Sequence, residues 1–415
     1  MKSTQSVEKY DSEVRLYTNY AIKHIKTICK SFGPRPVGGE AEKKAQEYMK
    51  NELETTCDKV TREEFKCSDK AFMAWVPICA LLIIVAHVFF TLGMAVVSLA
   101  IAAFCLFLIV AEFIFYKPVL DVFFPKKTSG NVIGVRQASG ETKRRIILSG
   151  HTDSAFEWTF TYHGGRPAVL GVIITAVVAI LVIIGGGIYA LVKSSSGIVW
   201  TGDDIVLKVL AVITYVTVPV LAIGTFFTNY GRPVMGANDD LSGCMVSAAV
   251  LKFMDANNIR FENTEVCAIF AGGEEAGLRG SKAWATAHAK EIKDEGVETI
   301  FVDFDTVREH EFMAIYDKDM TGVVKNDERV AKLVQQAAKN VGYDVPIKAI
   351  ELGSTDAAAI SQAGLPASAF TAMDPSPARY YHTRLDTEDN LDPKTIEIGL
   401  KIALETVFLF DEQGI

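Results

Sequence analysis

Charge is missing from three long stretches of this 415-residue chain: residues 71–111, 167–192 and 209–231 contain no Asp, Glu, Lys or Arg. A bilayer-spanning helix needs about 20 apolar residues, so these stretches exclude a wholly soluble, secreted or disordered protein. A basic excess is missing too. The formal charge is −8 and the isoelectric point is near 5.5, which argues against nucleic acid as a partner, because phosphate binding needs a basic surface. The seven cysteines form no CxxC pair and two lie in apolar runs, so this odd, scattered set reads as reduced thiols. The first 70 residues are charged and amphipathic with no early apolar core, unlike a signal peptide. Internal repeats, low-complexity tracts and long linkers are absent as well.

What fills the uncharged stretches is helical in length. The run Ala71–Ala111 is too long for one crossing of a core roughly 30 Å thick and suits two helices with a tight turn near Thr91–Gly93. The second block is interrupted between Lys193 and Asp204, giving four predicted spans: 72–91, 94–116, 168–192 and 206–228. Core helices of one globular domain are the bland alternative, but such helices keep a polar face and these do not. An even number of crossings returns the chain to the side it left. Residues 1–70, 117–166 and 229–415 are therefore expected to form one discontinuous domain, with 71–116 and 167–228 as hairpins in the lipid bilayer. Near the span ends that domain carries Lys59, Arg62, Lys66, Lys70, Lys117, Lys126, Lys127, Arg166 and Arg232, against Lys193 and Lys208 opposite, so the positive-inside rule predicts a cytoplasmic location for it.

Outside the hairpins, helical and strand patterns alternate. Helix-period segments lie near 8–31, 40–55, 240–257, 281–293, 327–341, 355–363 and 393–411. The β-rich runs are VTREEF, NVIGVR, RRIILSG, EVCAIFAG, ETIFVDFD, EFMAIYD, PIKAIEL and ASAFTAM. This alternation predicts an α/β sandwich, a mixed, largely parallel sheet with helices on both faces and ligand sites beyond its strand ends.

Several strand-like runs end in metal-binding residue types. RRIILSG leads into His151 and Asp153, EVCAIFAGG into Glu274 and Glu275, and ETIFVDFD ends at Asp305; GANDDLSG places Asp239 and Asp240 at a helix start, and His382 comes late. Histidine and carboxylate donors suit a divalent ion such as zinc. Singly each has an ordinary explanation: an acid pair at a helix start is usually a cap, a Glu pair a solvated turn, a lone histidine structural. His24, His87, His163, His288 and His310 lack comparable partners and read as structural.

Taken in order, HTDS, GANDDLSG, GGEEAGLRGS, VDFDTV and YYHTRLDT closely resemble the M28 family of dinuclear zinc exopeptidases, of the aminopeptidase Y type; the resemblance extends to FGPRPVGGEAEKKAQEYMKNEL. It implies a zinc-exopeptidase-like fold, two zinc ions and a peptide substrate. His151 and Asp305 would bind one ion, Glu275 and His382 the other, and Asp239 both. Glu274 would be the general base, Tyr381 a hydrogen-bond donor to the oxyanion, and Asp153 an outer carboxylate behind His151. Asp303 shares a face with Asp305 and is the rival ligand. Four positive charges against the three carboxylates Asp239, Glu275 and Asp305 make such a burial tolerable. Asp386 and the segment Gly353–Asp356 sit where the family supports its last ligand, though a turn and a helix cap explain them equally. The loop between Ala372 and Tyr380, with Pro375 and Pro377, could shape the substrate pocket.

The departure from the family is spacing. His151 and Asp239 lie 88 positions apart, with the second hairpin between them, and the first hairpin separates VTREEF from NVIGVR. The site mouth is expected near the membrane, restricting access to short or membrane-associated peptides. A membrane-anchored aminopeptidase or dipeptidase is the leading expectation. Carboxypeptidase chemistry, glutaminyl cyclase-like acyl transfer and a silent scaffold are the alternatives. A transporter ranks last, since Glu112 is the one acid within the spans and lies near an end.

Overall fold

The computed structural model describes residues 3–194, 196, 198–376 and 378–415; Pro377, and Ser195 and Gly197 of the interruption in the second apolar block, lie outside the described residues. The chain divides into two compact units. One comprises Met1–Asp69, Pro125–Phe156 and Pro233–Ile415, the other Lys70–Phe124 and Glu157–Arg232.

The first unit begins with α1 (Ser3–Phe32), α2 (Glu40–Glu54), β1 (Lys59–Cys67), β2 (Lys127–Arg136) and β3 (Arg144–His151). Its last piece adds α7 (Leu241–Ala256), β6 (Thr264–Ala271), α8 (Arg279–Glu295), β7 (Glu298–Val307), β8 (Met313–Asp319) and β9 (Val324–Lys325). It ends with α9 (Glu328–Asn340), β10 (Ile347–Ala349), α10 (Asp356–Gln362), β11 (Ala367–Ala372) and α11 (Pro393–Gln413). The sheet order is β1-β2-β6-β3-β7-β11-β8-β10, with β9 on β8. Strands β6, β3, β7 and β11 run parallel, whereas β1, β2 and β8 are antiparallel to their inner neighbours.

The central strands are apolar throughout because both faces are covered: all eight residues of β6 are buried. Strand alternation then divides the core. Ile146 and Leu148 face a large cluster with Val14, Ala21, Ile25 and Ile28 of α1 and the apolar faces of α7 and α11, while Ile147 faces Trp284 of α8 and Ile360 of α10. The short PIKAIEL run forms only three strand residues, since it lies at the sheet edge.

The second unit contains α3 (Trp75–Thr91), α4 (Ala95–Leu108), β4 (Phe156–Trp158), α5 (Thr159–Lys193), α6 (Ile205–Gly224) and β5 (Thr228–Pro233), which pairs with β4. Four of its helices are long and apolar enough to cross a membrane, α4 being extended to Ile114 by a wide-pitched turn. Two boundaries differ from the sequence expectation. Helix α5 starts at Thr159 rather than 168 and is broken at Gly165 (φ 58°, ψ −154°), a backbone state in which only glycine is comfortable. Helix α6 ends at Gly224 rather than 228 because the following residues enter the β4–β5 pair. At its start Asp204 caps the backbone amides of Val206 and Leu207. Some buried polar groups within this unit are paired: Ser98 Oγ donates to the Ala86 carbonyl at 2.8 Å, and Thr214 hydrogen-bonds the His87 ring.

Candidate metal centre

The carboxyl ends of four parallel strands, or the loops that follow them, converge. His151 is the last residue of β3; Glu274 and Glu275 follow β6; Asp305 lies near the end of β7; His382 follows β11. Asp239 arrives from the loop before α7. Its carboxylate stands between the two histidines, Oδ1 3.1 Å from His151 Nε2 and Oδ2 3.1 Å from His382 Nε2. His382 Nε2 is also 3.2 Å from Glu275 Oε2, and Glu274 Oε2 is 3.9 Å from His151 Nε2. Among the described residues, three sets of donor atoms lie close enough to share an ion: His151 with Asp240 and Asp305, His151 with Glu274 and Glu275, and Asp239 with Glu275 and His382.

Hydrogen bonds separate donors from supports. Asp240 caps α7 by accepting from Gly243 N at 2.9 Å, and it also accepts from Thr306 N at 3.1 Å and His151 N at 3.0 Å. With both oxygens committed to amides it acts as a brace, so the acid pair is a cap and a site residue at once. Asp303 is likewise occupied, by Ser149 Oγ and by Asp356 N at 3.1 Å. Asp305 accepts from the neighbouring Thr306 Oγ1, at 2.9 Å, and shares the His151 cluster.

Asp153 lies 3.6 Å from His151 Nδ1, and it takes the Glu274 and Glu275 amides on its two oxygens, at 3.1 and 3.0 Å. One carboxylate thus orients a histidine and both glutamates. Asp386 does the same for the bridging acid, accepting from Asn238 N and Asp239 N at 2.8 and 3.1 Å. Tyr381 stacks on His382, ring centroids 3.9 Å apart. Asp356 is buried beside Asp303, and Thr355 bonds Asp319, so GSTD braces the sheet side of the site. The other histidines stay apart from it: His24 pairs with Tyr48 and His288 with Glu63.

Protons show what the cluster requires. Burial opposes charge on His382, but Glu275 and Asp239 overcome it and raise its pKa to about 10. His151 is raised well above the ordinary histidine value, against burial, by Asp153 and Asp239. Burial, then Asp239, pushes Asp305 up to about 7; burial and the nearby Glu275, Asp356 and Asp305 push Glu274 well up. Asp239, by contrast, is held ionised against burial by His151 and His382; imidazoles held as cations around it, with Asp305 and Glu274 pushed toward their neutral forms, are the proton-loaded form of a cation site, and a divalent ion takes the same atoms deprotonated. Glu275 Oε1 is buried with no hydrogen-bond partner among the described residues, leaving an acceptor for such an ion. The donor set therefore fits zinc.

Residues 217–407 match the model of Peptidase family M28. That segment, a little under half of the chain, is similar to peptidase family M28. The match covers Asp239, Glu274, Glu275, Asp305 and His382; His151 precedes it and joins through β3. Solved structures share the fold. A Zn-dependent exopeptidase from Parabacteroides distasonis is 14% identical with a TM-score of 0.56, over 94% of this chain and 97% of that one. A zinc aminopeptidase from Bacillus subtilis, BSAP, is 14% identical with a TM-score of 0.55, over 94% of each chain. A glutaminyl cyclase from Fimbriiglobus ruber is as similar, 14% identical with a TM-score of 0.56, over 94% and 95%. A search of curated proteins finds no match in sequence.

Proposed function

We propose that this protein is a membrane-anchored metallopeptidase of the M28 type that hydrolyses short peptides, as an aminopeptidase or dipeptidase, on a site for two zinc ions. The observation that carries this reading is the Asp239 carboxylate, which offers separate oxygens to His151 and His382, as a bridge between two ions requires. His151 and Asp305 would hold one ion, Glu275 and His382 the other. Bound zinc supplies Lewis acidity, acidifying water and polarising the scissile carbonyl.

The chain's own residues supply the rest. Glu274, held by its backbone against Asp153, takes the proton of the attacking water and delivers it to the leaving amine as the C–N bond breaks. Burial and then Asp239 raise the Tyr381 phenol well above its ordinary value, so it remains a donor for the oxyanion. The four apolar helices anchor the enzyme, and the flanking lysines and arginines favour a cytoplasmic peptidase domain.

Glutaminyl cyclase chemistry is the second reading, favoured by the equal likeness to a cyclase fold. One experiment separates them. Detergent-purified protein is analysed for zinc and offered aminoacyl amides, N-blocked peptides and an N-terminal glutaminyl peptide. Hydrolysis of the amides with two zinc ions per chain is expected; cyclisation with release of ammonia and a single ion would overturn the peptidase reading. Glu274→Gln should keep zinc and lose roughly 10²–10⁴-fold in turnover.

A further inference from the structure

Arg35 is fully buried, yet among the described residues no carboxylate faces its guanidinium within hydrogen-bonding distance. Its donors go to backbone carbonyls instead: Nε to Thr152 at 2.7 Å, Nη1 to Met235 at 2.7 Å and Gly33 at 3.4 Å, and Nη2 to Gly236 at 2.9 Å. Its own backbone is fixed as well. Arg35 N donates to Ser154 Oγ at 2.8 Å, Ser154 N donates back to the Arg35 carbonyl at 3.0 Å, and Ser154 Oγ donates to the Val234 carbonyl at 2.8 Å. Three segments remote in sequence, 33–36, 152–154 and 234–236, are thereby joined at one planar cation, whose forked donors hold several acceptors in fixed directions.

Two of these segments adjoin metal-binding residues. Thr152 follows His151, and Gly236 lies three positions before Asp239. Gly236 has φ +62°, and a Cβ there would meet the Asp239 carbonyl at 2.6 Å and Arg35 Nη2 at 3.1 Å, so the loop is moulded on the guanidinium. Arg136 shows the contrast. It is also buried, but it bonds Asp255 and the carbonyls of Thr56 and Ile259, none of which adjoins a donor of the cluster.

We infer that Arg35 is a positioning residue of the metal centre: it locks the loop after His151 to the loop before Asp239, so that their spacing is set within the peptidase unit and not by the hairpin encoded between them. The inference rests on the two-ion reading. Its test is zinc titration of the full chain in detergent, with a chelating indicator and, separately, cobalt absorption. Arg35→Gln is expected to weaken the ion held by His151 and Asp305 roughly 10–100-fold, and the ion at Glu275 and His382 less. Ser154→Ala should show the same order with a smaller shift, and Arg35→Lys should recover part of the loss. Arg136→Gln, the control for general destabilisation, should lower Tm and leave both affinities unchanged.

Equal weakening of both ions in proportion to Tm, or no change in either, overturns the inference. If Arg35→Gln does not fold, the same two outcomes are read from Ser154→Ala and Arg35→Lys. A wild-type protein that binds fewer than two ions sinks the two-ion reading, and the inference with it, whatever the variants do.

Discussion

The two units solve opposite burial problems. In the peptidase unit the large apolar side chains are inside, and among the described residues only Leu16, Phe312, Val323, Leu352 and Leu385 are exposed large apolars. In the second unit many large apolar residues are exposed, Leu81 at 56%, Leu181 at 62% and Val216 at 72%, while its interior sets the small residues Ala86, Ser98, Ala102 and Ala179 beside Ile83, Leu108 and Ile183. Small residues let helices approach closely where lipid replaces water and no hydrophobic force draws them together. Hydropathy alone therefore marks the second unit but says nothing of its packing. In the first, polarity is concentrated at one end of the sheet, where it costs most and where candidate metal donors converge.

This contrast can be broken or sharpened by substitution. The largest effect is expected for Asp239→Ala, which removes the bridge: zinc content should fall and peptide turnover should drop to background, while the far-ultraviolet spectrum keeps its helical signal. Asp153→Asn leaves the donors in place but loosens His151 and both glutamates, so zinc affinity should fall roughly 10–100-fold in a competition titration. Gly187→Leu tests the other unit. A Cβ at Gly187 would meet the Leu99 side chain at 2.6 Å, so overpacking should cost about 1–3 kcal/mol in detergent unfolding, with zinc content unchanged. Loss of zinc in that variant would show that the two units are not energetically separate.

The smallest effect is an ion pair at the surface. Arg260 grips Asp58 at 2.6 and 3.0 Å, and this, against partial burial, lowers the Asp58 pKa. A depressed carboxylate stabilises above its unfolded pKa and ceases to do so as pH falls through the folded value. Asp58→Asn should therefore cost about 0.2–1 kcal/mol at pH 7 and nothing near pH 2, read from urea midpoints.

Much of the fold is legible because its signals are local. The helix over 240–257 and the strand ETIFVDFD are marked by periodicity and apolar runs within a dozen residues, and His151, Glu275 and Asp305 are marked by their places at strand ends. The supports are harder to read. Asp240 looks like an ordinary cap, and its bonds to His151 N and Thr306 N exist only once β3 and β7 lie side by side. Asp386 reads as a turn residue until Asp239 N is found on it, and Arg35 gives no sign that its partners lie more than a hundred residues away. The choice between Asp303 and Asp305 turns on Ser149 and Asp356, which no spacing rule connects to β7.

The strand order also sets a timetable. Consecutive strands β2 and β3 do not touch; β6 lies between them, and it leaves the ribosome more than a hundred residues after β3. At synthesis rates of about 5–20 residues per second, β3 waits on the order of ten seconds for either neighbour. During that wait α5, α6 and then Asp239 are made, while Glu274, Glu275, Asp305 and His382 do not yet exist. The candidate metal centre can be assembled only after the last apolar helix has been made, so in a growing chain the site comes after the apolar hairpins by order of manufacture.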